Sequence, residues 1–231
     1  MLIYLSFIMA VGLYLCSMFL KRGRRVGVIV FATLFVLTTV GVTANYSHHW
    51  GMKKVTTTKS QRIYSAAGKN LPINLYQPVG TSGKDNVFIY KTTPHQGKTI
   101  HTQANELTYS QAKTSTTNTA YLTTTETRWR YQNGFYKFLF IGTGMQNKLV
   151  HRTNTLYYPK GYVRLTVKQA NQLKKRMTNS NQATSAIKQQ MTTYVQQKIA
   201  AANTRDPQKI KQISQQAQLE FQGQLIKKLL Q

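Results

Sequence analysis

Acid is nearly missing from this chain. Its 231 residues hold five Asp and Glu against 31 Lys and Arg, a formal net charge of +26. Chemistry that needs two carboxylates therefore has little to draw on. The five are Asp85, Glu106, Glu126, Asp206 and Glu220. Only Glu106 and Glu126 fall where a glycosidase-like acid and base would be sought, and nothing in their spacing brings them together. Cysteine is rarer still. Cys16 is the sole one and falls inside an apolar run, so everything after it lacks a disulfide and a thiol nucleophile. Metal ligands are not gathered either. His48 and His49 are adjacent, but neighbours seldom turn both rings to one ion, and His95, His101 and His151 are scattered. No cofactor, no metal site and no catalytic residue is expected.

Long apolar runs are present, and both lie at the start. Residues 1–20 and 26–44 are each close to the roughly 20 residues a helix needs to cross about 30 Å of hydrocarbon. Lys21, Arg22, Arg24 and Arg25 are wedged between them, and the positive-inside bias holds such a turn on the cytoplasmic side. The expectation is a transmembrane hairpin over 1–45, with both termini and the main domain extracytoplasmic. Tyr46 and Trp50 then stand where an aromatic belt anchors the outer interface. A second reading starts the chain at Met18 and cleaves a signal peptide after Val42-Thr43-Ala44, which would make the protein secreted. The second run exceeds the 7 to 15 residues usual for a cleaved signal, so the retained hairpin is favoured.

Four of the 31 cations lie in that turn, leaving 27 against five acids outside, a surplus of 22. Such a field draws anions, and in a cytoplasmic protein nucleic acid would be the first candidate. Outside a membrane the abundant polyanions are instead wall polymers and lipid headgroups.

From residue 55 to 165 the pattern changes to period two, rich in Thr, Tyr, Val and Phe with Gly and Pro punctuation. A juxtamembrane linker over 46–60 and an extracytoplasmic β domain over 61–165 follow. The clearest piece is the strand Ala120 to Tyr131, then Asn133-Gly134, then a run to Ile141. Asn-Gly is the preferred pair of a type I′ turn, because both positions need positive φ. That register predicts Tyr131 opposite Tyr136, Trp129 opposite Phe138 and Thr127 opposite Phe140, with Arg128, Arg130 and Lys137 on the other face as a candidate anion-binding surface. Shorter strands fit 61–66, 74–77, 86–92, 105–110, 148–158 and 162–165, with turns at 80–83 and 159–161. A small antiparallel β sandwich or open barrel is expected.

Residues 166–231 switch to helix. Thr166-Val167-Lys168-Gln169 has the form of a capping box and predicts a helix to about Met177. A second helix is expected over about 181–203, with Ala183, Ile187, Met191, Tyr194, Val195 and Ile199 as one apolar stripe. Asp206-Pro207 caps and starts a third, carrying Ile210, Ile213, Ala217, Phe221, Leu225 and Leu229 in a row. The fold class expected is an α+β membrane protein: transmembrane hairpin, outer β domain, C-terminal helical hairpin. The hairpin's stripes close on each other, on the β domain, or on another subunit.

Familiar catalytic patterns fail. Ser110-Gln111-Ala112-Lys113 matches Ser-x-x-Lys, but no Ser-x-Asn is present and Lys98-Thr99 is followed by Ile100 rather than Gly. Gly80 and Gly83 are separated by two residues, where a Walker loop needs four. The run Thr127 to Phe140, the segment Tyr76 to Tyr90 before it, and the basic two-span start resemble an uncharacterised membrane-protein family of lactobacilli and their relatives, domain of unknown function 4811. The resemblance covers roughly residues 1–175. It implies a Gram-positive host and an exposed outer domain, and supplies no activity and no site residues.

Two function classes follow. The first is a non-enzymatic envelope module, anchored in the lipid bilayer, that binds anionic wall polymers or lipid headgroups, or serves as an accessory subunit to another membrane protein or to itself, without nucleic acid. The second is a wall-modifying hydrolase or transferase with an unrecognised site. The shortage of carboxylates and thiols favours the first.

Overall fold

The computed structural model describes residues 1–68, 71–80, 85–94, 98–178 and 184–230. It divides the chain into two compact units, Met1–Thr57 with Glu126–His151, and Thr58–Thr125 with Arg152–Gln231.

The first unit begins with helices α1 (Leu2–Phe19) and α2 (Arg24–His48), both long and apolar enough to cross a membrane. They pair with each other and leave most of their large apolar side chains exposed, Phe7, Phe19, Ile29 and Leu37 among them. Gly23, in the left-handed region, ends the basic bend. At its far end α2 stops because His49 adopts φ 54°, and the N–H groups of His49 and Trp50 both reach back to the Ala44 carbonyl, Trp50 at 3.2 Å. Strand β1 (Met52–Arg62) starts at once. The expected linker over 46–60 is therefore corrected: it is the last turn of α2, a tight turn and most of β1. Gly51 makes that turn possible with φ +76°, and a Cβ there would lie 2.3 Å from the Tyr136 ring.

Strands β2 (Tyr64–Ser65), β3 (Ile73–Val79), β4 (Asp85–Lys91), β5 (Ile100–His101), β6 (Thr108–Ser115) and β7 (Tyr121–Tyr131) follow. The expected hairpin at Asn133-Gly134 does not form. Asn133 has φ −151°, and its side chain accepts from the Tyr136 N–H at 3.1 Å, so it caps helix α3 (Gly134–Leu139) instead of turning a strand. The partner of β7 is β1, with Gln132 N–H donating to Gly51 O at 3.0 Å and Thr56 Oγ1 2.9 Å from Thr127 Oγ1. The pairings Tyr131–Tyr136, Trp129–Phe138 and Thr127–Phe140 fall with the hairpin. The aromatics of the run serve a different core, where Phe140, Tyr131, Met52 and Met145 are buried together with Tyr136, Leu139 and Leu2 against them.

Strands β8 (Leu149–Pro159) and β9 (Val163–Thr166) complete two sheets, ordered β1-β7-β8-β6 and β2-β4-β3-β9, with β5 beside β4. The expectation of purely antiparallel pairing is also corrected. β6 runs parallel to β8, and β3 parallel to β9. Period-two alternation is common to both kinds of ladder and cannot tell them apart. In the second unit the sheets share a core of Phe88 and Tyr90 from β4 with Leu122, Leu156 and Tyr158 from β7 and β8. Burial pushes the Tyr158 phenol far above its ordinary value, with Tyr162 and Tyr90 adding to the effect.

Helix α4 (Val167–Thr178) opens with the expected capping box: Gln169 N–H donates to Thr166 Oγ1 at 3.2 Å, and Thr166 N–H to Gln169 Oε1 at 2.9 Å. α5 (Thr184–Ala201) keeps Ile187, Met191, Tyr194, Val195 and Ile199 less exposed than the residues between them. The expected start of α5 at 181–183 lies outside the described residues. α6 (Pro207–Leu230) begins where Gln208 N–H donates to Asp206 Oδ1 at 2.9 Å. Its apolar residues divide between two partners, and the buried one near the C-terminus is Ile226, outside the expected row, with Leu229 of the row packed beside it. Phe221 meets Tyr194 of α5 with ring centroids 5.8 Å apart, while Ile226 joins Ile73, Val163, Leu165 and Leu173 in a core under β3, β9 and α4.

Candidate functional site

Of the three residues expected to form an anion-binding face, Arg128 is already committed. Its Nε donates to Glu126 at 2.7 Å and its Nη1 to the Asn147 carbonyl at 2.9 Å. Arg130 is exposed on β7, and Lys137 is exposed on α3, a helix whose register owes nothing to the strand. The strand pairing that would have aligned all three is absent. Lys21 and Arg22 lie in the bend after α1, and Arg24 and Arg25 open α2.

The weaker sequence patterns separate in space. Ser110 and Lys113 are three residues apart on β6, which puts their side chains on opposite faces, and Ser110 Oγ accepts from Asn154 Nδ2 at 3.2 Å. Glu126 is bound by Arg128, and Glu106 is exposed in a turn. His49 stacks on Trp129 with centroids 4.0 Å apart. Its pKa is lowered by partial burial first, then by Lys148, Lys54 and His48. His95 and most of the turn at 80–83 lie outside the described residues. Among the described residues no three of His, Cys, Asp and Glu gather as a metal site.

What sequence reading missed is a cleft of about 450 Å³ in the second unit. One wall comes from the end of β1 and from β2, carrying Arg62 and Tyr64, with the Arg62 guanidinium 5.4 Å over the Tyr64 ring. Turns supply Asn118 and Tyr162. α6 supplies Gln215, Gln218 and Gln222, whose three- and four-residue spacing puts them on one helical face. Their neighbours on α6 seat the helix: Gln216 Nε2 donates to Lys160 O at 3.1 Å, and Asn118 Nδ2 to Gln212 O at 3.1 Å. The seat is very close. Gly161 has φ +95°, and a Cβ at Gly223 would lie 2.1 Å from the Gly161 carbonyl oxygen, so only glycine at both positions lets the turn meet the helix.

Among the described residues the cleft lining combines one guanidinium, two phenols and four carboxamides. Burial raises the Tyr162 phenol while Arg62 opposes it, so Tyr162 stays a hydrogen-bond donor at neutral pH. Chemically this is a set of hydrogen-bonding partners for hydroxyls and phosphates. The only sequence signal for it is the glutamine spacing on α6, which also reads as an ordinary solvated face.

No curated protein and no solved structure matches the chain. A family model does, over residues 21–173, from the basic bend through the β region into α4. That is most of the chain, and it belongs to the family described as domain of unknown function (DUF4811).

Proposed function

We propose that the protein is a membrane-anchored, non-enzymatic module of the cell envelope, and that its second unit holds an anionic, hydroxyl-bearing envelope polymer. The observation that carries this reading is the cleft itself, where Arg62 stands among Tyr64, Tyr162, Asn118 and three glutamines, with no acid among the described lining residues. The surplus of 22 cations outside the bend supplies the long-range attraction. The anchor is the α1–α2 pair, with Lys21, Arg22, Arg24 and Arg25 held in the cytoplasm and the rest of the chain outside. Retention of α2 is supported by its course: it continues through Val42-Thr43-Ala44 to His48, and Asn45 just beyond is 0% exposed.

The test is retention of the full chain, in detergent or nanodiscs, on purified phosphate-bearing wall polymer. Retention at 0.01 M salt should fall progressively toward 0.15 M, as the Debye length shrinks from about 30 Å to about 8 Å. Arg62→Gln should weaken it more than Lys209→Gln, an exposed position at the start of α6. No retention at 0.01 M salt would overturn the reading.

A further inference from the structure

We propose that α3 and the turn after it lie in the membrane–water interface, docking the first unit onto anionic lipid headgroups. The proposal rests on the membrane reading of α1 and α2 and adds a third contact to it. α3 is six residues long, too short to be stable alone, and it turns Phe135 and Phe138 outward with 65% and 59% of their surfaces exposed, followed by exposed Ile141. Large apolar side chains are seldom grouped so on a water-facing helix.

Its neighbours say what covers it. The Met1 nitrogen donates to the carbonyls of Phe138 and Leu139 at 3.1 and 2.9 Å, and a Cβ at Gly142 would lie 3.6 Å from the Tyr4 ring. Trp50, just past α2, meets Tyr136 and Phe140 with centroids 6.3 and 6.0 Å apart. α3 is thus fixed at the level where α1 begins and α2 ends, continuous with the exposed apolar surface of both helices. Tyr46 and Trp50, both exposed, stand at that level, where amphipathic rings favour a bilayer interface.

The charge fits the same partner. Lys137 projects from α3, Lys148 Nζ lies 5.2 Å over the Tyr46 ring, and Lys54 Nζ lies 5.2 Å over Trp129. The unit's single acid, Glu126, is paired with Arg128. An apolar face rimmed by cations and aromatics is the composition of an interfacial segment on an anionic leaflet. This assigns Lys137 to lipid and leaves the wall polymer to Arg62.

Site-directed spin labelling of the full chain tests it, in a Cys16→Ser background reconstituted into phosphatidylcholine vesicles with or without phosphatidylglycerol. Single labels go at Phe135→Cys, Phe138→Cys, Phe7→Cys in α1 and Gln190→Cys in α5. The expected result is oxygen accessibility at 135 and 138 several-fold above that at 190, decreasing when phosphatidylglycerol is omitted or when Lys137→Glu is added. Water-like accessibility at 135 and 138 with a lipid-embedded label at 7 would overturn the α3 docking and leave the anchor standing. Water-like accessibility at 7 as well would overturn the membrane reading. Spin–spin broadening at 138 that vanishes on dilution with unlabelled protein would mean that a second copy covers the face, and would also overturn the proposal. Two labelled positions are used so that misfolding at one does not decide the outcome.

Discussion

Asn45 is a carboxamide at the end of an apolar helix with no exposed surface, which is costly unless both ends of the amide are satisfied. They are: Nδ2 donates to Trp50 O at 2.8 Å, and Oδ1 accepts from Thr143 Oγ1 at 3.2 Å. Tyr131 Oη continues the network, 2.9 Å from Thr143 Oγ1 and 3.1 Å from Phe140 O. Asn45→Ala strands the Trp50 carbonyl, while the Thr143 hydroxyl keeps Phe140 O at 3.0 Å and Tyr131 Oη as partners, so a thermal melt of the purified chain should show a loss of roughly 1–3 kcal/mol. His49, beside it, makes a pH prediction. Its lowered pKa means that the folded state prefers the neutral ring. The stability this contributes is present above the unfolded value of about 6.5 and is lost as pH falls through the folded value. Ring titration by NMR should place His49 below the ordinary range, and Lys148→Gln should move it upward. An unshifted His49 would contradict the stacked, cation-flanked site.

At the scale of elements, α3 and α6 carry the sharpest tests. In a type I′ turn Gly134 would need positive φ, and alanine there would be harmful. In α3 it is the first helical residue, and an added Cβ meets nothing within 4 Å. Gly134→Ala should therefore leave the melting temperature unchanged or raise it, by up to about 1 kcal/mol in stability, from the helix preference of alanine over glycine. A marked loss would revive the hairpin. Gly223→Ala points the other way. Its Cβ would collide with the Gly161 carbonyl, and backbone must move. A loss of about 1–3 kcal/mol is expected, as for overpacking generally. Because α6 forms one wall of the cleft, polymer retention should fall with it. The Thr166–Gln169 capping box, the Asp206-Pro207 start and the α5 stripe were all legible in sequence, because capping and helical periodicity are local. The fate of the Asn133-Gly134 pair was not: an N-cap and a tight turn use the same residue types, and the choice fell to the burial of Phe140 and to β1 taking the place beside β7.

For the whole molecule, the prediction concerns sidedness. Added protease should digest protoplast-displayed protein beyond about Lys53 and leave the two apolar helices, and a thiol reagent that cannot cross the membrane should label Gln190→Cys in a Cys16→Ser background on intact protoplasts. Protection of residue 190 would reverse the orientation that the basic bend implies. The same global view explains why the cleft was illegible. Its lining runs from Arg62 to Gln222 through six separate segments of chain, and none carries a motif. β7 adds a second lesson. In the second unit it buries Leu122, an even-numbered position, whereas in the first unit it buries Tyr131, an odd-numbered one. A single alternation read along the strand assigns one inward face and misses the change.

By itself the sequence determined the two lipid-length apolar runs and the basic bend between them, the β-rich middle, the three C-terminal helices with caps at Thr166 and Asp206, and the excess of positive charge. Each of these follows from composition, periodicity or a contact within one turn of chain. Tertiary structure alone decided that Asn133 caps a helix, that β3–β9 and β6–β8 run parallel, that glycines at 161 and 223 seat α6, and that Arg62 lines one cleft with glutamines of α6. Those outcomes depend on which distant segments compete for the same buried surface and the same backbone hydrogen bonds, and no local pattern in the chain records that competition.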